Sequence, residues 1–462
     1  MRARRIGGSA GVALVIWVVL AAAYASTLGM DSVPGHDYAG DEAHYLLAAR
    51  SLAHQRALDV ADDYRDKAYR EFDSAPPKPQ GRRRDGSLYE PHSIGLPMLA
   101  APFYALGGAK AVELLVAALL ALALSLSYLL ARRVLPDPWC AVSALALGLS
   151  PPLVAHGTAV LPEPVAAAAL AGAALLAVRL RDRPSRAAAI GCFILLGGLP
   201  WLGLKFIPPG LVIGWAAVRS LRMAQRRLLA LAGVEVGFFS LALLVGLNEA
   251  LFGGPTPHAA DLPGVSATGA SSVADYLGRS WRIVSLFLDR GYGLIRWSPV
   301  AVMAVEGAWI LYRASRERLG RAIAGLDEEY AAARLCAVAV LATVVTAAVF
   351  VPSLSSGGFP GRELVPALPL MVPLAALGLR QSPRIGALLG LLGVAGSVWL
   401  WIDTRSGGGL MSDRPDAPWG PLVQVFPRFD GGIWPYALLA AVTLALAAPV
   451  VREELEVRRR LP

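Results

Sequence analysis

Apolar runs at or near the length that crosses a bilayer follow one another along the whole of this 462-residue chain. A transmembrane helix needs about 20 predominantly apolar residues. The candidate spans are Ala10–Leu28, Ala109–Ala131, Trp139–Ala155, Val165–Val178, Ala187–Trp201, Phe206–Val218, Leu228–Leu251, Gly293–Tyr312, Leu335–Val351, Leu364–Leu379, Ile385–Ile402 and Ile433–Val450. Composition agrees: 55% of the residues are hydrophobic and 17% charged, against about 25% charged in an ordinary soluble domain. The fold class expected is an all-α polytopic membrane protein forming one domain over 1–462. It would have about 12 transmembrane helices, with short juxtamembrane helices packed on the extracytoplasmic face.

Charge placement supplies an orientation. Net charge is +9, but the basic residues form short clusters between apolar runs. That pattern encodes topology and points to membrane lipids as partners, not nucleic acid. With Arg2, Arg4 and Arg5 cytoplasmic, every second connection is basic: Arg132-Arg133, Arg179–Arg186, Arg219–Arg227, Arg313–Arg334, Arg380–Arg384 and Arg452–Arg460. A multi-pass protein of the cell membrane with both termini cytoplasmic is expected. Ala23-Tyr24-Ala25 has the form of a signal-peptide cleavage site, yet Ala10–Leu28 is long enough to span, which favours an uncleaved first helix. Cys140, Cys192 and Cys336 lie in or beside apolar runs without metal spacing and read as small buried residues.

Two extracytoplasmic loops are long, 29–108 and 252–292. The first opens with Gly40-Asp41-Glu42-Ala43-His44-Tyr45, in which Tyr45, Ala48, Ala49 and Leu52 follow helical spacing. A short helix lying on the membrane surface is expected there, with Asp41 and Glu42 in its first turn, where carboxylates suit the helix dipole. The middle of the loop, Asp59–Asp85, is polar and poor in aliphatic residues, and a mobile segment is expected. The loop closes with Tyr89-Glu90-Pro91-His92, a turn leading into an apolar segment. In the second loop, Ser272–Asp289 reads as an amphipathic helix.

Ionisable groups beside a membrane are costly unless solvated, paired or functional. Those recurring at the outer ends of helices are Asp41, Glu42, His44, Glu90, His92, His156, Glu163, Lys205, Asp289, Arg290, Arg296, Arg362 and Glu363. Asp41 and His44 are three residues apart and share a helix face. A carboxylate there suits a general base, and a carboxylate–imidazole pair suits a divalent cation. Arg362 lies in the flexible stretch Ser355-Ser356-Gly357-Gly358-Phe359-Pro360-Gly361-Arg362-Glu363. Glycines there let backbone approach a ligand, and a guanidinium fits a phosphate fork. Lys205 and Arg296 stand at comparable outer turns. Glu235 and Glu306 fall inside spans and read equally as a proton path or as hydrogen-bonded packing residues.

Together these residues resemble the C-fold (GT-C) membrane glycosyltransferases, above all the branch containing protein O-mannosyltransferases and lipid A aminoarabinose transferases. The carrying features are Asp41-Glu42-Ala43-His44-Tyr45 directly after the first span, Tyr89-Glu90-Pro91-His92 before the second, and the late segments Asp289–Pro299 and Gly357–Pro366. The resemblance implies a sugar donor carried on a polyprenyl phosphate and a glycan, lipid or protein acceptor, with the active site extracytoplasmic. It implies Asp41 and Glu42 as the catalytic carboxylates, with Asp41 the base, and inversion by a single displacement. Arg362 is then the first candidate for the leaving phosphate, followed by Lys205 and Arg296, while Glu90, His92 and Tyr45 contact substrate. A divalent metal ion held by Asp41, His44 and Glu90 is left open.

Two other function classes share the helix pattern. A transporter or lipid flippase would place polar groups and broken helices near the bilayer midplane in matched halves, whereas the polar groups here concentrate at the outer ends. A non-catalytic envelope protein that binds lipid-linked glycans is the other alternative, against which Asp41 and Arg362 stand together.

Overall fold

Long apolar runs become helices because a backbone in lipid must satisfy every N–H and C=O internally. The computed structural model describes residues 2–81, 83–84, 86–260, 269–270, 272–321, 330–354, 358–412 and 418–429, with scattered positions between 434 and 452. The expected last span, Ile433–Val450, therefore lies largely outside the described residues. Among the described residues six helices are long and apolar enough to cross a membrane: Gly8–Ala25, Gly95–Ala131, Pro162–Asp182, Arg227–Phe252, Ala331–Phe350 and Pro383–Arg405. The chain is an all-α polytopic membrane protein. Its described β structure is a two-residue pairing of Arg83–Arg84 with Ser87–Leu88 and an isolated bridge between Val33 and His36.

Several expected spans are shorter or broken, and proline accounts for the breaks by removing a backbone donor and clashing with the preceding turn. Trp139–Ala155 divides into Trp139–Gly148 and Pro151–Ala155. Gly293–Tyr312 divides into Leu294–Trp297, the 3-10 turn Pro299–Ala301 and Val302–Arg321. Leu364–Leu379 becomes the 3-10 turns Arg362–Leu364 and Pro369–Met371, followed by Val372–Gln381. Ser272–Asp289 is not one helix but two, Val273–Gly278 and Arg282–Leu288, the first closed by a capping box between Ser272 and Asp275.

Of the six membrane-length helices the most enclosed is Pro162–Asp182, which packs against Gly95–Ala131, Arg186–Leu202 and Ile207–Met223. The first helix docks on Gly95–Ala131 through Trp17 Nε1, donating to the Ala118 carbonyl (3.0 Å), and Ser125 Oγ, donating to the Ala13 carbonyl (2.6 Å). Helices Val302–Arg321 and Val372–Gln381 cross backbone to backbone. A Cβ on Gly307 would fall 1.9 Å from the Leu374 carbonyl oxygen, and one on Gly378 would fall 2.1 Å from that of Met303. Small residues permit such crossings, on which helix association in lipid depends. By contrast, helix Arg227–Phe252 exposes Leu228, Phe238, Phe239 and Leu243, the pattern of a lipid-facing surface.

At one end of the bundle the segment 29–94 folds into a cap. Helix Asp41–Gln55 forms where the spacing predicts it, but it does not lie amphipathically on a surface: residues 42–49 are all buried. The polar middle of the loop covers it. Arg50 bridges Asp63 (2.6 Å) and Glu71 (2.5 Å), Ser51 Oγ donates to the Asp59 carbonyl, and Val60 N–H donates to Leu88. Helix Ala61–Arg65 and the 3-10 turn Ala68–Glu71 thus order much of the stretch expected to be mobile. Polar side chains order this loop through ion pairs and carbonyl contacts, which hydropathy does not register. A kink at Gly107 and Gly108 separates the cap from the membrane-length part of Gly95–Ala131.

Candidate active site

Asp41 is the first residue of its helix, set there by Gly40 at φ 54°, a left-handed conformation that glycine accepts without strain. Its side chain retains 32% exposure, and its Oδ2 accepts from Arg362 Nη2 at 3.1 Å. Arg362 is aimed by Gly361, at φ 87°, whose N–H donates to the Tyr292 carbonyl at 3.1 Å. That contact ties the late glycine-rich segment to the Asp289–Pro299 turn. Asp289 holds the turn itself, accepting from the N–H groups of Gly291 (2.6 Å), Tyr292 (3.2 Å) and Phe429 (2.9 Å).

Behind Arg362 stands Glu163, fully buried in the first turn of helix Pro162–Asp182. One oxygen, Oε1, accepts from both Arg362 Nε and Lys205 Nζ, each at 2.9 Å. Lys205 Nζ also donates to Glu363 Oε2 at 2.8 Å. Asp41, Glu163 and Glu363 therefore share Arg362 and Lys205, three carboxylates against two cations. Burial pushes the Asp41 carboxyl up, but Arg362, with His92 and the hydrogen bond from Arg362, outweighs it and holds the group below its ordinary value. Burial alone would lower the Lys205 ammonium; Glu163 and Glu363 instead raise it. The arrangement is an ionised, partly open carboxylate with a fixed cationic wall behind it.

His44, Glu90 and His92 form a second group, with Tyr45 against it. His44 Nδ1 lies 3.3 Å from Glu90 Oε1 and 3.1 Å from the Tyr64 hydroxyl, which itself donates to Glu90 Oε1 at 2.6 Å. The Gln80 backbone N–H donates to Glu90 Oε2 at 3.0 Å. Burial pushes the Glu90 carboxyl up, but its contacts with His44, Tyr64 and Gln80 pull it below its ordinary value. The His92 ring sits 5.1 Å from that of Tyr45 and 5.4 Å from that of His44, centre to centre. Burial lowers the His92 imidazole. One ligand atom from each of His44, Glu90 and His92 lies within 4.8 Å of the others. Of the three residues grouped from the sequence, His44 and Glu90 lie together with His92 beside them, while Asp41 pairs with Arg362.

Glu42, the neighbour of Asp41, is buried and accepts from Ser32 Oγ (2.8 Å), Ala39 N–H (3.0 Å) and Val160 N–H (3.0 Å). Burial pushes its carboxyl up to about 7. These contacts join the start of the helix to the segments before it and before helix Pro162–Asp182. Arg296 is also buried, with Nη1 donating to the Arg290 carbonyl (2.5 Å) and its guanidinium 4.8 Å from the Trp297 ring centre. Those contacts hold it within its own turn. Of the two carboxylates inside spans, Glu306 accepts from Ser382 Oγ at 2.6 Å, a packing contact, and Glu235 is exposed on the outward helix.

The sequence marks Glu163 and Glu363 as charges at helix ends but gives them no partners. The available signal is Pro162-Glu163-Pro164, a carboxylate set between prolines at the start of an otherwise apolar helix. Tyr64 and Gln80 carry no signal, because both fall in the stretch read as mobile.

No protein-family model matches the chain. No curated protein sequence matches it either. Among solved structures the chain is similar to ArnT from Cupriavidus metallidurans in the apo state, with 18% identity, 87% of this chain and 70% of that one covered, and a TM-score of 0.49. It is also similar to the archaeal oligosaccharyltransferase AglB from Archaeoglobus fulgidus in complex with an inhibitory peptide and a dolichol-phosphate (14% identity, 87% and 56% covered, TM-score 0.43). A third is the Archaeoglobus fulgidus oligosaccharyltransferase in the apo form (14% identity, 86% and 56% covered, TM-score 0.42). These three solved structures are GT-C membrane glycosyltransferases.

Proposed function

We propose that this chain is a membrane glycosyltransferase that moves a sugar from a polyprenyl-phosphate donor to an acceptor hydroxyl on the extracytoplasmic face of the cell membrane, with both termini cytoplasmic. The observation that carries the reading is the meeting of Asp41, a partly exposed carboxylate, with Arg362 and Lys205, two cations joined through Glu163.

The chemistry follows from the charges. Asp41 takes the proton of the acceptor hydroxyl as its oxygen forms a bond to the anomeric carbon. The bond from that carbon to the phosphate oxygen breaks, and its electron pair leaves with polyprenyl phosphate. Negative charge then grows on the phosphate, where fixed cations stabilise it at no cost of reorganisation. Arg362 suits this task because its guanidinium matches the phosphate fork, and Lys205 adds a point charge beside it. Attack from the face opposite the departing phosphate inverts the anomeric centre.

The test is turnover by purified protein in nanodiscs, given a panel of polyprenyl-phosphate sugars and membrane-extract acceptors. Acceptor-dependent release of polyprenyl phosphate is the expected result. Absence of release with every donor would contradict the reading, and movement of labelled lipid across liposomes would favour the transporter class.

A further inference from the structure

Outside the Asp41–Arg362 pair, His44, Glu90 and His92 bring two imidazoles and a carboxylate together from distant parts of the cap. His44 comes from helix Asp41–Gln55, while Glu90 and His92 come from the turn before the next helix. His44 and Glu90 are buried, and His92 Nε2 is buried without a hydrogen-bond partner among the described residues. An imidazole nitrogen enclosed with no partner loses its solvation for nothing in return, so its lone pair points to a missing acceptor of electrons. The spacing suits one. His44 Nδ1 and Glu90 Oε1 stand 3.3 Å apart, and two ligands about 2.0–2.1 Å from one tetrahedral ion stand about 3.4 Å apart.

We infer that His44, Glu90 and His92 form a divalent-cation site of the zinc class, in which the ion pins the Glu90–His92 turn to helix Asp41–Gln55. The donor set decides the class. Two imidazoles with one carboxylate suit zinc, whereas magnesium and calcium prefer oxygen throughout. Three protein ligands leave the fourth tetrahedral position to water.

The surroundings are those a ligand set needs. A metal-bound histidine commonly donates its other ring N–H to a carbonyl or carboxylate. The side-chain amide of Gln80 lies 3.2 Å from His44 Nε2. With the amide oxygen facing the ring, an orientation set by the network and not by atom type, Nε2–H donates to Gln80 and Nδ1 is left to ligate. The Tyr64 hydroxyl and the Gln80 backbone N–H fix the Glu90 carboxylate from outside. The His92 ring packs against that of Tyr45, 5.1 Å away centre to centre.

The test is direct binding, independent of any transferase assay. Untagged full-length protein in detergent, stripped with chelator, is titrated calorimetrically with Zn²⁺ and separately with Mg²⁺. Cobalt absorption reports the coordination geometry. Expected are one zinc per chain, a tetrahedral cobalt spectrum and no saturable magnesium binding. His92→Ala abolishes the cobalt spectrum, and Gln80→Ala, which spares all three ligands, weakens zinc by about 10–100-fold. Absence of saturable zinc binding, or equal zinc affinity in wild type and His92→Ala, would overturn the site. Should His92→Ala not fold, Gln80→Ala carries the test alone, and unchanged zinc affinity in it would contradict the assignment.

Discussion

The guanidinium of Arg362 lies 3.1 Å from the carboxylate of Asp41, across 321 positions of sequence. The contact makes the two residues one electrostatic unit, because burial alone would push the Asp41 carboxyl up and Arg362 reverses that shift. In Arg362→Ala the desolvation remains and the opposing charge is gone. The Asp41 carboxyl rises, and protonation removes the base at a higher pH than in wild type. The acid limb of the rate profile therefore moves to higher pH. The rate at its optimum falls by about 10²–10³-fold, as when a fixed oxyanion partner is lost. A pH–rate profile of wild type and Arg362→Ala checks both; an unmoved acid limb would separate Arg362 from Asp41.

Glu163 Oε1 is shared by Arg362 and Lys205 in a fully buried position. Glu163→Gln keeps the shape and leaves two enclosed cations short of one negative charge. Breaking a buried ionic network from one side costs about 3–5 kcal/mol. Thermal unfolding of Glu163→Gln in detergent is expected at a clearly lower temperature than wild type, with Lys205→Met in the same background recovering part of the loss. Equal unfolding temperatures of wild type and Glu163→Gln would show that Glu163 does not hold the cations together.

His156 offers a pH dependence of stability separate from catalysis. It is fully buried, its Nδ1 lies 2.7 Å from the Pro152 carbonyl, and burial lowers its imidazole to about 4. An unfolded histidine takes up its proton near pH 6.5. The unfolded state therefore binds more protons than the folded one between about pH 6.5 and pH 4, and stability falls as pH falls through that window. The loss amounts to on the order of 3 kcal/mol once the pH is below both values. The difference in stability between wild type and His156→Gln should be constant above pH 7 and change steadily between pH 6.5 and 4. A constant difference throughout would mean that His156 charges in the folded state as it does in water.

The crossing of helices Val302–Arg321 and Val372–Gln381 permits no side chain at Gly307, where a Cβ would overlap the Leu374 carbonyl at 1.9 Å. Gly307→Ala forces the two backbones apart, at a cost of about 1–3 kcal/mol or more for overpacking. Gly237, with nothing within 4 Å of its Cβ position, is the control. Yield of monodisperse protein and unfolding temperature should drop for Gly307→Ala and hold for Gly237→Ala.

What the chain reveals before folding follows from the range of each signal. Apolar runs and helical spacing are local, so the helical class and the helix beginning at Asp41 are legible. The breaks at Pro151, Pro299 and Pro369 are local too, but hydropathy averages over them. That helix Asp41–Gln55 is buried throughout residues 42–49 is not legible, because its covering comes from Asp59, Asp63 and Glu71, charged residues that look solvated until Arg50 and Ser51 are seen to bind them. The charges of Asp41, Glu163, Lys205 and Arg362 are each visible at helix ends. Their meeting is not, since no spacing rule connects a residue at position 41 with one at 362. The division of labour between Asp41 and Glu42 also needed the fold: adjacent carboxylates on a helix point about 100° apart, one toward Arg362 and the other toward Ser32 and Val160.

In the proposed function Asp41 is the base of a sugar transfer from lipid phosphate. Asp41→Asn preserves shape and removes the proton acceptor, so release of polyprenyl phosphate by the purified variant is the most direct measurement. Expected are acceptor-dependent release in wild type and a fall of about 10²–10⁴-fold in Asp41→Asn, with the unfolding temperature of the variant close to that of wild type. Release by Asp41→Asn at the wild-type rate would contradict that role.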